Sequence, residues 1–289
     1  MTCPIFADSP HMDNASPDTP DGFAIKTSAL TRRFGNLTAA DSIELNIPYG
    51  EIYGLLGANG AGKSTLIKML TTLLSPTSGS AEVGGYDITK SPGEVRRRIG
   101  YVSQLVSADG ALTGYENLRL SGKLYGLPPK VRSERIANAL EFMGLADSSS
   151  RLVRTYSGGM IRRLELAQAM LHRPAILFLD EPTIGLDPVA RRLVWDRLLS
   201  LRHDYGMTVL ITTHDMEEAE TLSDELAIMH SGRISVVGKP AELRASLGAE
   251  LGRDATMDDV FVHYAGGLIH ESGSFSEVAQ TRRTARRLG

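Results

Sequence analysis

From Ala24 to Leu30, and again from Ser42 to Ile47, apolar and polar residues alternate. A period of two belongs to strands with one buried and one solvated face, so the start of the chain predicts an antiparallel β patch. The patch leads into Glu51-Ile52-Tyr53-Gly54-Leu55-Leu56, read as a short buried strand. Beyond it, Ser64-Thr65-Leu66-Ile67-Lys68-Met69-Leu70 opens a helix expected to reach about Leu74, before a turn at Pro76-Thr77-Ser78-Gly79. From Leu105 to about Tyr156 the pattern becomes helical and is broken at Gly110, Gly114, Gly126 and Pro128-Pro129. This stretch reads as a helical insertion, at about 105–160, between two halves of an α/β core. The core resumes with a buried strand at 175–180, a helix over roughly 189–203 and a second buried strand at Met207–Thr213. Ser231-Gly232 between Leu226–His230 and Ile234–Val237 predicts a hairpin. After Pro240 come a helix, a Gly-interrupted stretch and a basic end. The pattern divides the chain into a flexible tail at 1–22, a main domain at 23–247 and an extension at 248–289. No internal repeat is visible.

Composition adds limits rather than detail. With 289 residues and 42% hydrophobic content the chain can fill a large core. Its longest apolar stretches, such as Ala175-Ile176-Leu177-Phe178-Leu179, fall far short of the roughly twenty residues that cross a bilayer. The first residues hold Pro4, Pro10, Pro17 and Pro20 among Asp, Ser and Thr, too little apolar surface to order a segment, and they lack the pattern of a signal peptide. Cys3 is the single cysteine, so no intrachain disulfide forms, and the cytoplasm is the expected compartment. A net charge of −3 argues against bulk nucleic-acid binding. The ends differ in sign: Asp8, Asp13, Asp18 and Asp21 lie at one, and Arg282, Arg283, Arg286 and Arg287 at the other.

The chemistry is concentrated in Gly57-Ala58-Asn59-Gly60-Ala61-Gly62-Lys63-Ser64-Thr65, which fits the phosphate-loop pattern G-x-x-x-x-G-K-[ST] between a strand and a helix. Glycines there let consecutive backbone N–H groups turn inward around phosphate oxygens, and the helix start adds unpaired donors. Lys63 is placed to reach the β- and γ-phosphates, and the Ser64 hydroxyl to ligate Mg²⁺. A second feature is Asp180-Glu181 at the end of the apolar run 176–179. An Asp there can hold Mg²⁺, and the adjacent Glu can polarise an attacking water, although two acids at a strand end also suit an exposed turn. Pro182-Thr183-Ile184-Gly185-Leu186-Asp187-Pro188 follows and weighs toward the first reading. A third is Tyr156-Ser157-Gly158-Gly159-Met160 at the start of a long helical pattern, either a second phosphate-facing helix start or simply a capped helix.

Taken together these motifs resemble the ATP-binding subunits of ABC transporters over roughly residues 24 to 265. The resemblance implies an ABC ATPase fold: a P-loop NTPase (RecA-like) α/β core with an antiparallel β subdomain and a helical insertion. Gly57–Thr65 is similar to Walker A, Ile176–Glu181 to Walker B with the catalytic Glu, and Tyr156–Met160 to the signature usually written LSGGQ. Gln104 resembles the Q-loop residue, a γ-phosphate and Mg²⁺ sensor, Asp187 the D-loop residue and His214 the switch histidine. Phe34 resembles the aromatic that stacks on adenine. The implied catalytic set is Glu181, His214, Gln104 and Lys63; Ser64, Gln104 and Asp180 are implied around Mg²⁺. ATP is implied at Phe34, Gly57, Ala58, Asn59, Gly60, Ala61, Gly62, Lys63, Ser64, Thr65, Gln104, Asp187 and His214, between the Walker A residues of one copy and Ser157, Gly158 and Gly159 of the other's signature.

Tyr156 stands for the usual Leu and Met160 for the usual Gln, so any contact of that Gln side chain is lost. The wording Ser-Gly-Gly-Met followed by Arg162-Arg163-Leu164-Glu165-Leu166-Ala167, and Met257-Asp258-Asp259-Val260-Phe261 near the end, resemble the drug-resistance and nodulation branch that serves ABC-2 type exporters. The resemblance therefore implies a head-to-tail homodimer, a separate permease and a peripheral place on the cytoplasmic face of the membrane, with no nucleic acid. Two alternatives remain at this stage: a non-transport ABC ATPase acting on nucleic acid or ribosomes, and an importer subunit.

Overall fold

In the computed structural model, which describes residues 22–266, the two alternating segments pair as a long antiparallel hairpin, β1 (Phe23–Phe34) and β2 (Leu37–Pro48). Register shifts interrupt the ladder around Thr27–Leu30, where Ala29 sits at φ 46, so the alternation of the sequence is only partly kept. The phosphate-loop strand β3 (Ile52–Leu56) follows, buried at every position, and then α1 (Lys63–Leu70).

That helix is shorter than expected. Thr72 takes φ 63, and the N–H groups of Leu73 and Leu74 both donate to the Lys68 carbonyl, which closes a turn in place of another helical turn. The Thr71 hydroxyl donates back to the Ile67 carbonyl at 2.8 Å, a local bond that competes with helix continuation.

Residues 78–102 hold elements that the hydrophobic pattern did not suggest. β4 (Ser78–Val83) and β5 (Tyr86–Asp87) extend the hairpin into a four-stranded sheet of order β2-β1-β4-β5. A short helix α2 (Pro92–Arg98) leads into β6 (Ile99–Val102), an edge strand of the main sheet. β4 is Ser-Gly-Ser-Ala-Glu-Val and mostly exposed, so it carries little alternation.

The insertion comprises α3 (Gly114–Leu124) and α4 (Pro129–Phe142), joined to α5 (Gly158–Met170) by a chain with two single 3-10 turns. Thr113 and Glu116 form a reciprocal capping box at the head of α3. The insertion has no core of its own: Leu118, Ile136 and Leu140 belong to one cluster with Leu164 and Met170 of α5 and with residues of the main sheet.

β7 (Ile176–Asp180), α6 (Pro188–Tyr205), β8 (Thr208–Thr213), α7 (Met216–Leu222) and the hairpin β9 (Glu225–His230) with β10 (Arg233–Gly238) complete the core. The six-stranded sheet has the order β10-β9-β3-β8-β7-β6, parallel except for β10. Helices on both faces explain why β3, β7 and β8 read as continuous apolar runs. Alternate side chains go to opposite clusters: Leu177, Leu179, Val209 and Ile211 pack toward α5 and α6, while Ile176, Phe178 and Leu210 pack toward α1 and the β1–β2 hairpin.

The division expected between 247 and 248 falls inside a helix, α8 (Pro240–Leu251). Gly252 at φ 65 ends it, and α9 (Met257–Gly266) returns so that Met257 and Val260 share a buried cluster with Leu56, Leu226 and Leu247. The segment up to 265 is therefore packed on the main body. The N-terminal tail, apart from Gly22, and the arginine-rich end lie outside the described residues. Among the described residues no helix is long and apolar enough to cross a membrane.

Candidate active site

β8 lies between β3 and β7, and its last two residues set the site. Thr213 pairs with Leu56 and its carbonyl accepts from Gly57 N at 3.1 Å; Thr212 pairs with Asp180 and its carbonyl accepts from Glu181 N at 3.1 Å. The loop after β3 and the carboxylates after β7 thus leave the same sheet edge one strand apart. This is the carboxyl end of parallel strands, where open α/β sheets bind ligands.

The loop's backbone needs its glycines. Gly60 and Gly62 adopt φ 83 and φ 108, and a Cβ on Gly62 would lie 2.2 Å from the Ala39 carbonyl oxygen. A Cβ on Gly57 would lie 2.5 Å from the Met229 carbonyl oxygen, because the loop passes directly over β9. Lys63 opens α1 and is buried; its ammonium donates to the carbonyls of Gly57 and Ala58 at 2.6 and 3.1 Å and lies 3.5 Å from Glu181 Oε1. Burial holds its pKa below the usual lysine value, with Glu181 opposing that shift.

Asp180 Oδ1 accepts from the Ser64 hydroxyl at 3.1 Å and from the Thr212 hydroxyl at 2.7 Å. Glu181, at φ 48, is the meeting point of the site. Besides Lys63, Gln104 Nε2 approaches its Oε2 at 3.5 Å and His214 Nδ1 approaches the same oxygen at 3.3 Å. Phe34, Asn59, Gly60, Ala61, Gly62, Lys63, Ser64, Thr65, Gln104 and Glu181 line a cleft of about 400 Å³ together with Leu37 and Ala39. Phe34 is half exposed at the end of β1, with the Arg32 guanidinium 4.6 Å from its ring centre.

Not every residue singled out from the sequence lines this cleft. Gly57, Ala58, Asp180 and His214 do not, although each touches Lys63, Ser64 or Glu181, which do; Ser157, Gly158 and Gly159 do not either. Ser157 caps α5 by accepting from Met160 N at 3.3 Å, and Gly159 faces the start of α6, where a Cβ would lie 2.6 Å from Ala190 Cβ. Asp187 caps α6, accepting from Val189 N and Ala190 N at 3.0 and 2.9 Å. Tyr156 has a structural reason to replace an aliphatic residue. Its buried ring ends in a hydroxyl that donates to the Ser148 carbonyl at 2.7 Å, and only a glycine at 114 leaves room for that oxygen.

Three residues take a place at the site that the sequence does not announce. Thr212 was read as part of a strand, yet it bridges both acids. Arg162 and Glu165, part of the wording that resembles the drug-resistance branch, form a buried ion pair at 3.0 Å behind the acids. An arginine and a glutamate three apart ordinarily mark a solvated helix face, so their burial carries no signal in a single sequence.

Comparison with known proteins bears directly on this site. The model of the ABC transporter family matches residues 40–184, which include the phosphate loop, Gln104, the Ser157–Gly159 segment and both acids. The chain belongs to the ABC transporter family. As a member of its ATP-binding subunits, it binds and hydrolyses ATP. The daunorubicin/doxorubicin resistance ATP-binding protein DrrA of Streptomyces peucetius is 47% identical over 228 residues, 79% of this chain and 69% of that protein. The probable multidrug ABC transporter ATP-binding protein YbhF of Escherichia coli is 40% identical over 253 residues, 88% of this chain and 43% of that protein. A solved ATP-binding subunit of an ABC transporter superposes with TM-score 0.73 at 28% identity, covering 83% of this chain and 99% of the other. The dimeric post-hydrolysis state of the cassette MJ0796, bound to ADP and phosphate, has TM-score 0.67 at 25% identity, covering 74% of this chain and 98% of that one.

Proposed function

We propose that this chain drives an exporter as one of two head-to-tail copies, on the cytoplasmic face of a membrane, through a separate permease of ABC-2 type. The observation that carries the reading is the division of the motifs. Lys63, Gln104 and His214 converge within 3.5 Å on Glu181, while Ser157–Gly159 line no part of that cleft. A second copy then supplies its own Ser157–Gly159 to the nucleotide. The export reading is supported by relatives named for daunorubicin, doxorubicin and multidrug resistance, and an amphipathic drug-like molecule is the proposed cargo.

The geometry supports the residue roles that the resemblance implies. Gly57–Thr65 present backbone N–H groups and the Lys63 ammonium to the phosphates. Phe34 offers a half-exposed ring to the base. The Ser64 hydroxyl and Asp180 carboxylate form a hard-oxygen pair that suits Mg²⁺, and Gln104 lines the same cleft as Ser64; among the described residues no group of three or more His, Cys, Asp or Glu could hold a metal alone. One or two protein ligands completed by phosphate oxygens and water is the usual Mg²⁺ arrangement. When bound, Mg²⁺ supplies positive charge at the β- and γ-oxygens. Glu181 takes the proton from the attacking water at a carboxylate oxygen, and His214 orients that carboxylate from 3.3 Å.

Affinity capture of the tagged chain from detergent-solubilised membranes tests the proposal. Recovery of a polytopic membrane protein supports it. A ribosomal or nucleic-acid partner refutes it.

A further inference from the structure

The geometry points to Arg162 and Glu165 as positioning residues that hold the Gln104 segment against the backbone of Glu181 and tie both to the head of α5. This rests on the reading of Glu181 as the general base. One guanidinium makes all the contacts on the acid side: Nε donates to the Pro182 carbonyl at 2.6 Å, and one terminal nitrogen donates to the carbonyls of Asp180 and Glu181 at 3.3 and 3.0 Å. The other terminal nitrogen donates to the Ser103 carbonyl at 2.7 Å, the peptide immediately before Gln104, and to Glu165 Oε2. Glu165 in turn accepts from Ser107 N at 2.5 Å and from the Ser107 hydroxyl at 3.1 Å. The segment 103–107 is therefore clamped at both ends to α5, and the clamp continues across the three residues centred on Glu181.

Two observations place the effect on geometry rather than on stability alone. Glu181 sits at φ 48, a conformation that persists for a non-glycine residue only where its surroundings over-determine it, and three consecutive carbonyls around it are bonded to one planar cation. A buried ion pair, moreover, adds little net stability over apolar residues of similar size, so its presence calls for another account. Because Ser157–Gly159 cap and begin this same helix, any displacement of the head of α5 is carried to the Gln104–Glu181 approach of 3.5 Å.

The test is steady-state ATPase kinetics of the full chain with Arg162→Met/Glu165→Met, a double change that removes both charges together and leaves neither buried charge unpaired. The expected result is ATP affinity within about threefold of the unchanged chain and a kcat lower by roughly 10- to 100-fold, the scale of a misplaced catalytic group. Arg162→Lys keeps the charge opposite Glu165 but not the fork, and Glu165→Gln keeps the shape; each should show the same split to a smaller degree. A kcat close to that of the unchanged chain in any folded variant, or parallel loss of kcat and ATP affinity, overturns the inference. Failure of all three to fold assigns the pair to the fold alone and overturns it too. Glu181→Gln is measured alongside: if it keeps full turnover, the reading of the base is wrong, whereas an inactive Glu181→Gln with active Arg162 and Glu165 variants refutes only the positioning role.

Discussion

Thr212→Val separates what holds the two acids from what performs chemistry. Thr212 is fully buried in β8, and its hydroxyl both donates to Asp180 Oδ1 at 2.7 Å and accepts from Glu181 N at 3.1 Å. Valine keeps the branched shape and loses both bonds. Glu181 N still has the Thr212 carbonyl and Asp180 Oδ1 still has the Ser64 hydroxyl, so no buried group is left without a partner. The loss is then one hydrogen bond to a charged carboxylate, about 2 kcal/mol, partly offset by burying a methyl in place of a hydroxyl; a net cost of about 1.5 kcal/mol is expected. For a folded unit of this size that lowers the midpoint of thermal unfolding by roughly 3–6 °C, read by calorimetry without nucleotide. The same variant loosens the hold on the Asp180 carboxylate and on the backbone of Glu181, so kcat with Mg²⁺ and ATP should fall by roughly tenfold while ATP affinity changes little. An unfolding midpoint within about 1 °C of the unchanged chain, together with unchanged kcat, would refute the argument that Thr212 positions the acids.

Lys63→Ala should abolish ATPase activity and weaken nucleotide binding, since it removes the cation against the β- and γ-phosphates; ordinary turnover in this variant would sink the assignment. Glu181→Gln should keep binding and slow hydrolysis by roughly 10²–10⁴-fold, with an ATP-stabilised dimer in size-exclusion chromatography. Tyr156→Phe deletes the bond to the Ser148 carbonyl and should cost about 1 kcal/mol in urea unfolding with turnover intact; a dead but stable variant would give that hydroxyl another role. Acid should weaken the fold through His172, whose pKa is pushed down to about 4 by burial while its Nε2 donates to the Ile99 carbonyl. A folded pKa below the unfolded value of about 6.5 means the unfolded chain binds the proton first, so stability is complete above about pH 6.5 and falls as pH drops toward 4. The loss over that window reaches at most about 3 kcal/mol, and His172→Gln should flatten that part of the stability curve in urea titrations at fixed pH.

The local chemistry of this chain was legible because it is written in contiguous residues. A glycine loop between an apolar strand and a helix specifies its own backbone, and Gly57–Thr65 needs no distant residue to adopt φ values that only glycine takes freely. The buried runs of β3, β7 and β8 likewise announced a covered parallel sheet, since period-free apolarity follows from having helices on both faces. Elements whose stability comes from neighbours were not legible: β4 is mostly polar and β6 is four residues long, and each exists because an adjacent strand offers an unpaired edge. The premature end of α1 is set at Thr71 and Thr72 by hydrogen bonds that periodicity does not encode. Strand order decided the site itself. Placing β8 between β3 and β7 brings Ser64 and Asp180, 116 residues apart in the chain, within 3.1 Å, and turns Thr212 from a strand residue into a bridge between both acids. In the same way Arg162 and Glu165 have the sequence of a solvated helix face, and only the packing of α5 beneath the acids makes them a buried clamp, because burial is a property of the neighbours and not of the residues.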